Sequence, residues 1–216
     1  MRQTGAGAFD PQGPVAGAME GLWWLMLALG TVVFVVFAVL LVVGLFRRRA
    51  AAESEPGHAP AIFDRWLVVA GVVAPFLLIV VVLVASTQAM RWVPTSAPRD
   101  AMVIEMVAHQ WWWEVRYPDQ RVTARNELHI PVGQRVNLQL TSADVIHSFW
   151  VPELAGKMDA LPDGVNTLVL QADQPGEHQS LCAEFCGLEH AHMRLRVFAE
   201  PTDQFESWIA DQEARQ

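Results

Sequence analysis

Two stretches of the chain break the usual interleaving of apolar and polar residues by carrying no charge at all. From Leu22 to Phe46, and again from Trp66 to Met90, a run of 25 residues lacks any charged side chain. About 20 apolar residues suffice to cross a bilayer as a helix, and buried core helices are seldom that long. The pattern predicts a transmembrane hairpin with helices at about 22–46 and about 65–90. Pro75 falls inside the second, where neighbouring groups can satisfy the carbonyl it frees. Asp64 is placed to cap that helix. The first run begins some twenty residues in and its basic cluster follows it, which is not the layout of a cleavable signal peptide.

Beyond Pro94 and Pro98 the period changes to two. Val136, Leu138 and Leu140 alternate with Arg135, Asn137 and Gln139, and Leu195 and Val197 alternate with Arg194 and Arg196. Leu168 and Leu170 repeat the pattern, which marks half-buried strands. Turns at Pro131-Val132-Gly133, Pro162-Asp163-Gly164 and Pro175-Gly176 separate short strands, as in a β-sandwich or barrel. After Pro201 the period becomes helical, with Thr202 as N-cap and Phe205, Trp208 and Ile209 on one face. The expected fold is a membrane-anchored all-β protein. Residues 1–92 supply a loose outer arm and the helical hairpin, and residues 93–216 supply a β domain with a C-terminal helix.

Charge sets the expected topology. Arg47, Arg48, Arg49 and Arg65 lie in the short loop between the helices, which the positive-inside rule makes cytoplasmic, with both termini and the β domain outside. Trp23, Trp24 and Trp92 would line the outer interface as an aromatic belt. The net charge is −8, and residues 91–216 hold ten basic and eighteen acidic side chains, so the whole excess lies outside the membrane. An acidic exterior argues against nucleic acid and favours a basic protein partner.

The chemistry concentrates in Cys182-Ala183-Glu184-Phe185-Cys186-Gly187-Leu188-Glu189-His190-Ala191-His192-Met193. A disulfide between two cysteines four apart would close a short loop and stabilise little, so metal ligation is the better reading. Thiolate, thioether and imidazole together select copper. Cys186, His190 and Met193 with His147 upstream have the layout of a mononuclear copper site. Cys182 is surplus to one copper, and two thiolates four apart can bridge a metal pair. Sharing one electron over two bridged coppers suits rapid electron transfer.

These segments resemble cytochrome c oxidase subunit II across nearly the whole chain. The hairpin, His109-Gln110-Trp111-Trp112-Trp113, Asp144-Val145-Ile146-His147-Ser148-Phe149-Trp150-Val151-Pro152, Lys157-Met158-Asp159-Ala160 and the cysteine loop match in order. The resemblance implies a cupredoxin sandwich holding the dinuclear copper A centre. In it His147 and Met193 serve one copper, His190 and the backbone carbonyl of Glu184 serve the other, and Cys182 and Cys186 bridge them. It also implies a magnesium ion shared with subunit I at the Glu184 carboxylate, and Trp111 as the residue through which electrons arrive from cytochrome c. The expected function follows from the family. This would be the electron-input subunit of an oxygen-reducing, proton-pumping oxidase in a bacterial plasma membrane, with the copper domain periplasmic. Its partners would be the haem–copper subunit I, other oxidase subunits and cytochrome c.

The sequence departs from the family in places. Pro162-Asp163-Gly164 stands for the usual Pro-Gly-Arg, and His178 and Ser180-Leu181 stand before the first cysteine for Tyr and Gly-Gln. The acidic residues after the tryptophans thin to Glu114 and Asp119, with Arg116 and Arg121 between. Asp64 does not take the place of the family's proton-pathway glutamate. With no Cys-x-x-Cys-His, no haem is expected in this chain. His109, His129 and His178 read as packing or strand residues, and His192, one residue from a ligand, as a ligand only in a shifted register. Three other readings compete. A copper A-containing nitric oxide reductase would keep every ligand, a quinol-oxidase homologue would lose them, and a thioredoxin-like copper chaperone would need one anchor and a βαβ pattern.

Overall fold

A computed structural model of the chain describes residues 7, 9–51, 66, 68–94, 96 and 98–215. The Asp64 cap, Arg65, the side chains of Arg48 and Arg49, and the loop with Pro56, Gly57 and Pro60 lie outside what is described. The chain divides into two compact units, Gly21–Arg91 and the remainder. The described residues up to Glu20 group with the β-sandwich in this division.

The first unit carries most of the two apolar helices. Helix α1 spans Pro14–Ala51, longer at both ends than the charge-free run. It starts on a proline, whose fixed φ and missing N–H suit the first helical turn. Helix α2 spans Ala74–Ala89. A π-helical turn, Val69–Val73, precedes it and a 3₁₀ turn, Met90–Trp92, follows it. The π turn has a local cause. Pro75 has no N–H to give and its ring crowds the carbonyl four residues back, so the backbone widens and the Ala74 amide donates to Val69 instead. Large side chains such as Phe34, Phe37, Leu40, Phe76 and Leu83 are exposed along both helices, and Pro14–Arg47 and Val69–Trp92 are long and apolar enough to cross a membrane. A core helix would bury those side chains; these require an apolar medium. The protein is membrane-anchored.

The second unit is a two-sheet sandwich. Its strands are β1 Val103–His109, β2 Trp112–Tyr117, β3 Val122–Arg125, β4 Glu127–Pro131, β5 Val136–Ser142, β6 His147–Trp150, β7 Met158–Ala160, β8 Asn166–Leu170, β9 Gly176–Cys182 and β10 Arg194–Glu200. One sheet has the order β3-β2-β1-β5-β8 and the other β4-β10-β9-β6-β7. β1 runs parallel to β5 and β10 parallel to β4, while the other pairs are antiparallel. Strands β5 and β10 alternate as their sequence predicts, with Val136, Leu138 and Leu140 and then Leu195 and Val197 buried. β8 does not, because Val169 is buried beside Leu170. Ile104, Met106, Trp113, Val115, Leu128, Ile130 and Phe149 complete the core between the sheets. Each such side chain contributes about 1.5–3 kcal/mol of transfer free energy.

The arm before α1 is not loose where it is described. The Gln12 amide donates to the Glu153 carbonyl (2.7 Å), and the Asp173 amide donates to the Gln12 carbonyl (2.8 Å). Val15 and Ala16, in the first turn of α1 that follows the arm, are buried. Gly13 permits this seating, since a Cβ there would lie 2.6 Å from the Gln171 carbonyl oxygen and 2.8 Å from that of Leu154.

Helix α3, Thr202–Glu213, closes the far end. Pro201 occupies the cap position and makes no side-chain cap bond. Thr202 is therefore the first helical residue and not the cap; its hydroxyl accepts from Gln134 Nε2 at 3.4 Å. Phe205 and Ile209 are buried, and Trp208 stacks on the His129 ring at 3.8 Å between centroids. The buried Tyr117 hydroxyl accepts from the His129 amide (2.8 Å) and donates to its carbonyl (3.0 Å), tying β2 to β4. His129 Nδ1 lies 2.9 Å from the Glu200 carboxylate. His178 is likewise buried, against Glu153.

Burial pushes the His129 imidazole below its ordinary 6.5, an effect Glu200 only partly offsets. The unfolded chain takes up a proton at the ordinary value while the native ring stays neutral. The ring's contribution to stability is thus complete above about pH 6.5 and is lost as pH falls toward the lowered native value. His129→Gln should flatten that loss in thermal melts of the detergent-solubilised chain between about pH 7 and pH 5. A variant as acid-sensitive as the parent would contradict this assignment.

Candidate metal centre

One end of the second sheet gathers the donor groups. β6 pairs with β9 so that Phe149 lies opposite Cys182, and β9 pairs with β10 so that Leu181 lies opposite Arg194. Cys182 ends β9, Met193 immediately precedes β10, and the Cys182 amide donates to the Met193 carbonyl at 3.2 Å. The intervening loop is therefore a hairpin connection pinched at its base. The Ala183 amide donates to the Ser148 carbonyl at 2.9 Å, docking the loop's first residue on the strand that carries His147. Three adjacent strands thus deliver an imidazole, a thiol and a thioether to the same edge.

The donor atoms converge. The two thiol sulfurs lie 3.8 Å apart, and both cysteines are free. His147 Nδ1 is 3.8 Å from Cys182 Sγ, and His190 Nδ1 is 3.6 Å from Cys186 Sγ. Met193 Sδ is 3.8 Å from Cys186 Sγ, and the Glu184 carbonyl oxygen is 3.3 Å from Cys182 Sγ. His147, Cys182, Cys186 and Met193 are buried, whereas His190 is half-buried. All six positions proposed from sequence come together. His192 does not join them: it is exposed and its Nδ1 sits 3.0 Å from Glu189. A 3₁₀ turn at His190–His192 sets this register by turning neighbouring imidazoles apart.

The electrostatics suit a cation. Burial raises the Cys182 thiol, but hydrogen bonding with His147 and with backbone groups of Ser148 and Glu184 outweighs it and brings it down. Cys186 moves the other way, through burial and the thiolate beside it. Burial works against protonating His147, yet Cys182 and Asp144 outweigh it and hold the ring above its ordinary value. The first thiol proton leaves readily while the second is retained by repulsion between sulfurs. A soft cation held by both sulfurs would offset that repulsion and favour the thiolate form of each cysteine.

Two supporting residues carried no role in the sequence reading. Asp144 Oδ1 lies 2.8 Å from His147 Nε2, which leaves Nδ1 facing the sulfurs and fixes the ring as outer carboxylates do at metal sites. Its spacing three residues before a ligand histidine was the signal available. Gln110 Nε2 donates to the Cys186 carbonyl at 2.7 Å, and no local pattern foretells a contact across 76 residues.

The tryptophans also differ from expectation. Strand alternation would put Trp111 and Trp113 on one face, but Trp111 sits in the turn before β2 and escapes that rule. It is half-buried, and its indole N–H donates to the Cys186 carbonyl at 3.2 Å. Trp113 is fully buried against Phe149 and His147. Trp112 stacks on His109 at 4.2 Å, with the Arg125 guanidinium over its ring. His109 therefore packs and pairs with Glu114, as its lack of metal-like neighbours suggested.

Together, fold and site define a membrane-anchored, cupredoxin-like domain with a thiolate-rich centre at one end. Residues 120–199 match the family model for the periplasmic domain of cytochrome c oxidase subunit II. Cytochrome c oxidase subunit 2 of Alkalihalophilus pseudofirmus is 31% identical over 209 residues, covering 94% of this chain and 60% of the relative. Quinol oxidase subunit 2 of Bacillus cereus is 28% identical over 209 residues, covering 94% and 71%. The crystal structure of the periplasmic domain of subunit II of cytochrome oxidase of Bradyrhizobium japonicum superposes with a TM-score of 0.53 at 28% identity. That likeness covers 56% of this chain and 99% of the other. The chain belongs to the cytochrome c oxidase subunit II family, and it spans about 60% of the length of the first of these relatives.

Asp144 gives the centre its first test. Asp144→Ala should weaken metal binding about 10–100-fold, because the imidazole loses the partner that orients it. Competitive copper titration of the full chain measures this, and an unchanged affinity would show that the β6 backbone alone places His147.

Proposed function

We propose that this chain is the electron-input subunit of a haem–copper respiratory oxidase, taking electrons from cytochrome c at a dinuclear copper A centre. One observation carries the reading: two thiols 3.8 Å apart, each with its own imidazole. That arrangement has two flanks, and a single copper uses only one. Cys182 and Cys186 would bridge, with His147, His190, Met193 and the Glu184 carbonyl as terminal ligands. When bound, the copper pair supplies one-electron redox chemistry with the charge shared between two ions.

The chain's own residues do the rest. Burial of both thiols keeps water from the sulfurs, and the pinched hairpin holds the donors in place across a change of redox state. Trp111 spans the distance from the surface to the Cys186 carbonyl, giving a donor an apolar contact joined to the site by one hydrogen bond. The electrons then pass to a partner subunit that reduces oxygen to water and pumps protons. The copper-retaining reading is favoured over a quinol-oxidase role because every ligand is present and converged. The orientation proposed from Arg47, Arg48, Arg49 and Arg65 puts both termini and the copper domain in the periplasm of a bacterial plasma membrane. Magnesium rests on the family resemblance alone. Glu184 offers it one exposed carboxylate, which here pairs with Lys157 at 3.3 Å, so the remaining ligands would come from subunit I.

Copper reconstitution of the full chain should give two coppers per chain and a paramagnetic signal delocalised over both. Cys182→Ser should abolish the delocalised state while the sandwich stays folded. One copper with a mononuclear signal, or a preference for zinc, would rule out the dinuclear centre. In the assembled oxidase, Trp111→Gln should slow reduction by the donor strongly and leave the copper spectrum unchanged. Glu114 is already paired with Arg116 at 2.8 Å and His109 at 3.2 Å, so the ionic-strength dependence of donor association should be weak. Fast reduction of the variant at every salt concentration would move the input point elsewhere. Turnover with nitric oxide in place of oxygen would reassign the partner. Reporter fusions near Gly57 and after Gln216 should be active only inside and only outside the cell, respectively, and the reverse would invert the topology.

A further inference from the structure

We infer that Gln110 is a positioning residue that ties the His147 arm of the centre to the cysteine loop and holds that loop closed. The inference starts from what anchors the loop. Its base is fixed by backbone bonds at Cys182 and Ala183 and by the turn that returns the His190 amide to the Gly187 carbonyl at 3.2 Å. Its crest is not buried: Phe185 is 78% exposed and Leu188 92%. Between these, Cys186 is buried deep under an otherwise open loop.

The β1–β2 turn supplies the missing anchor. Gln110 Nε2 and Trp111 Nε1 both donate to the Cys186 carbonyl, at 2.7 and 3.2 Å. A carbonyl has two lone pairs, so both are filled and the Cys186 peptide is held from two directions. The main-chain amide of Gln110 donates to Asp144 Oδ2 at 2.7 Å, and Asp144 Oδ1 lies 2.8 Å from His147 Nε2. One residue of the first sheet is thereby bonded to both ligand-bearing segments of the second, in the order His147, Asp144, Gln110, Cys186. Gly187 makes room for this. Its φ of +120° suits glycine, and a Cβ there would meet Gln110 Nε2 at 3.2 Å and the Trp111 ring at 3.3 Å. Through the amide donor, Gln110 acts on the ligands without being one.

The role predicts behaviour with and without metal, so its test does not depend on the copper assignment. Gln110→Glu keeps the shape and the main-chain bond to Asp144 but turns the donor into an acceptor facing a carbonyl. Gln110→Met removes the polar group altogether. In the metal-free, reduced full chain, thiol alkylation should accelerate about five-fold or more in both variants, since one hydrogen bond of ordinary strength no longer opposes opening. In the copper-loaded chain, the thiolate-to-copper absorption should shift and copper loss to a chelator should quicken by a similar factor. Melting curves verify that each variant is folded, and if Gln110→Met melts early the isosteric Gln110→Glu decides. Alkylation rates equal to the parent's in a folded Gln110→Glu would overturn the inference. Faster alkylation in a chain that binds no copper would uphold it and reject only the copper reading.

Discussion

The pairing of β6, β9 and β10 at one end of the second sheet is the constraint on which the centre depends. Two sulfurs and two imidazoles do not gather spontaneously, because burying polar donors without partners is costly. Here the backbone bonds of the ladder gather them. The bond from the Cys182 amide to the Met193 carbonyl closes the hairpin, and the bond from Ala183 to Ser148 brings the His147 strand alongside. Sheet geometry thus converts three separated stretches of sequence into one donor set. The sandwich core, from Trp113 and Phe149 to Tyr117 and Phe205, keeps that edge from shifting.

Much of this was legible in the sequence because the signals are local or strictly periodic. Charge-free runs mark the helices, and alternation marks β5 and β10. The spacing of Cys182, Cys186, His190 and Met193 marks the loop, since a short hairpin leaves those side chains few other places to go. His147 was found as the upstream imidazole that a copper layout of Cys186, His190 and Met193 requires, with Asp144 three residues before it as a further local signal. The supporting shell was less legible. Gln110 meets Cys186 only because two sheets face each other, a relation that no window of sequence contains.

The errors are equally instructive. Alternation failed for Trp111 because the strand had already given way to a turn. Thr202 has the residue type of a cap, but Pro201 before it took the position. The arm before α1 looked unstructured from its Gly, Ala and Pro content, yet small residues are what a segment needs to lie against a surface at the separation Gly13 shows. Composition reports what a segment can do alone, and packing decides the rest.

The π turn before Pro75 changes how the second helix must be interpreted. In a regular helix each residue advances the azimuth by about 100°. A π turn accommodates one extra residue, so the faces before and after Val69–Val73 are offset by about that angle. A helical wheel drawn continuously through the segment would mix two registers. Side chains on either side of the turn that share a stripe on paper point toward different surroundings. Any division of this helix into lipid-facing and protein-facing sides has to restart its phase at Ala74.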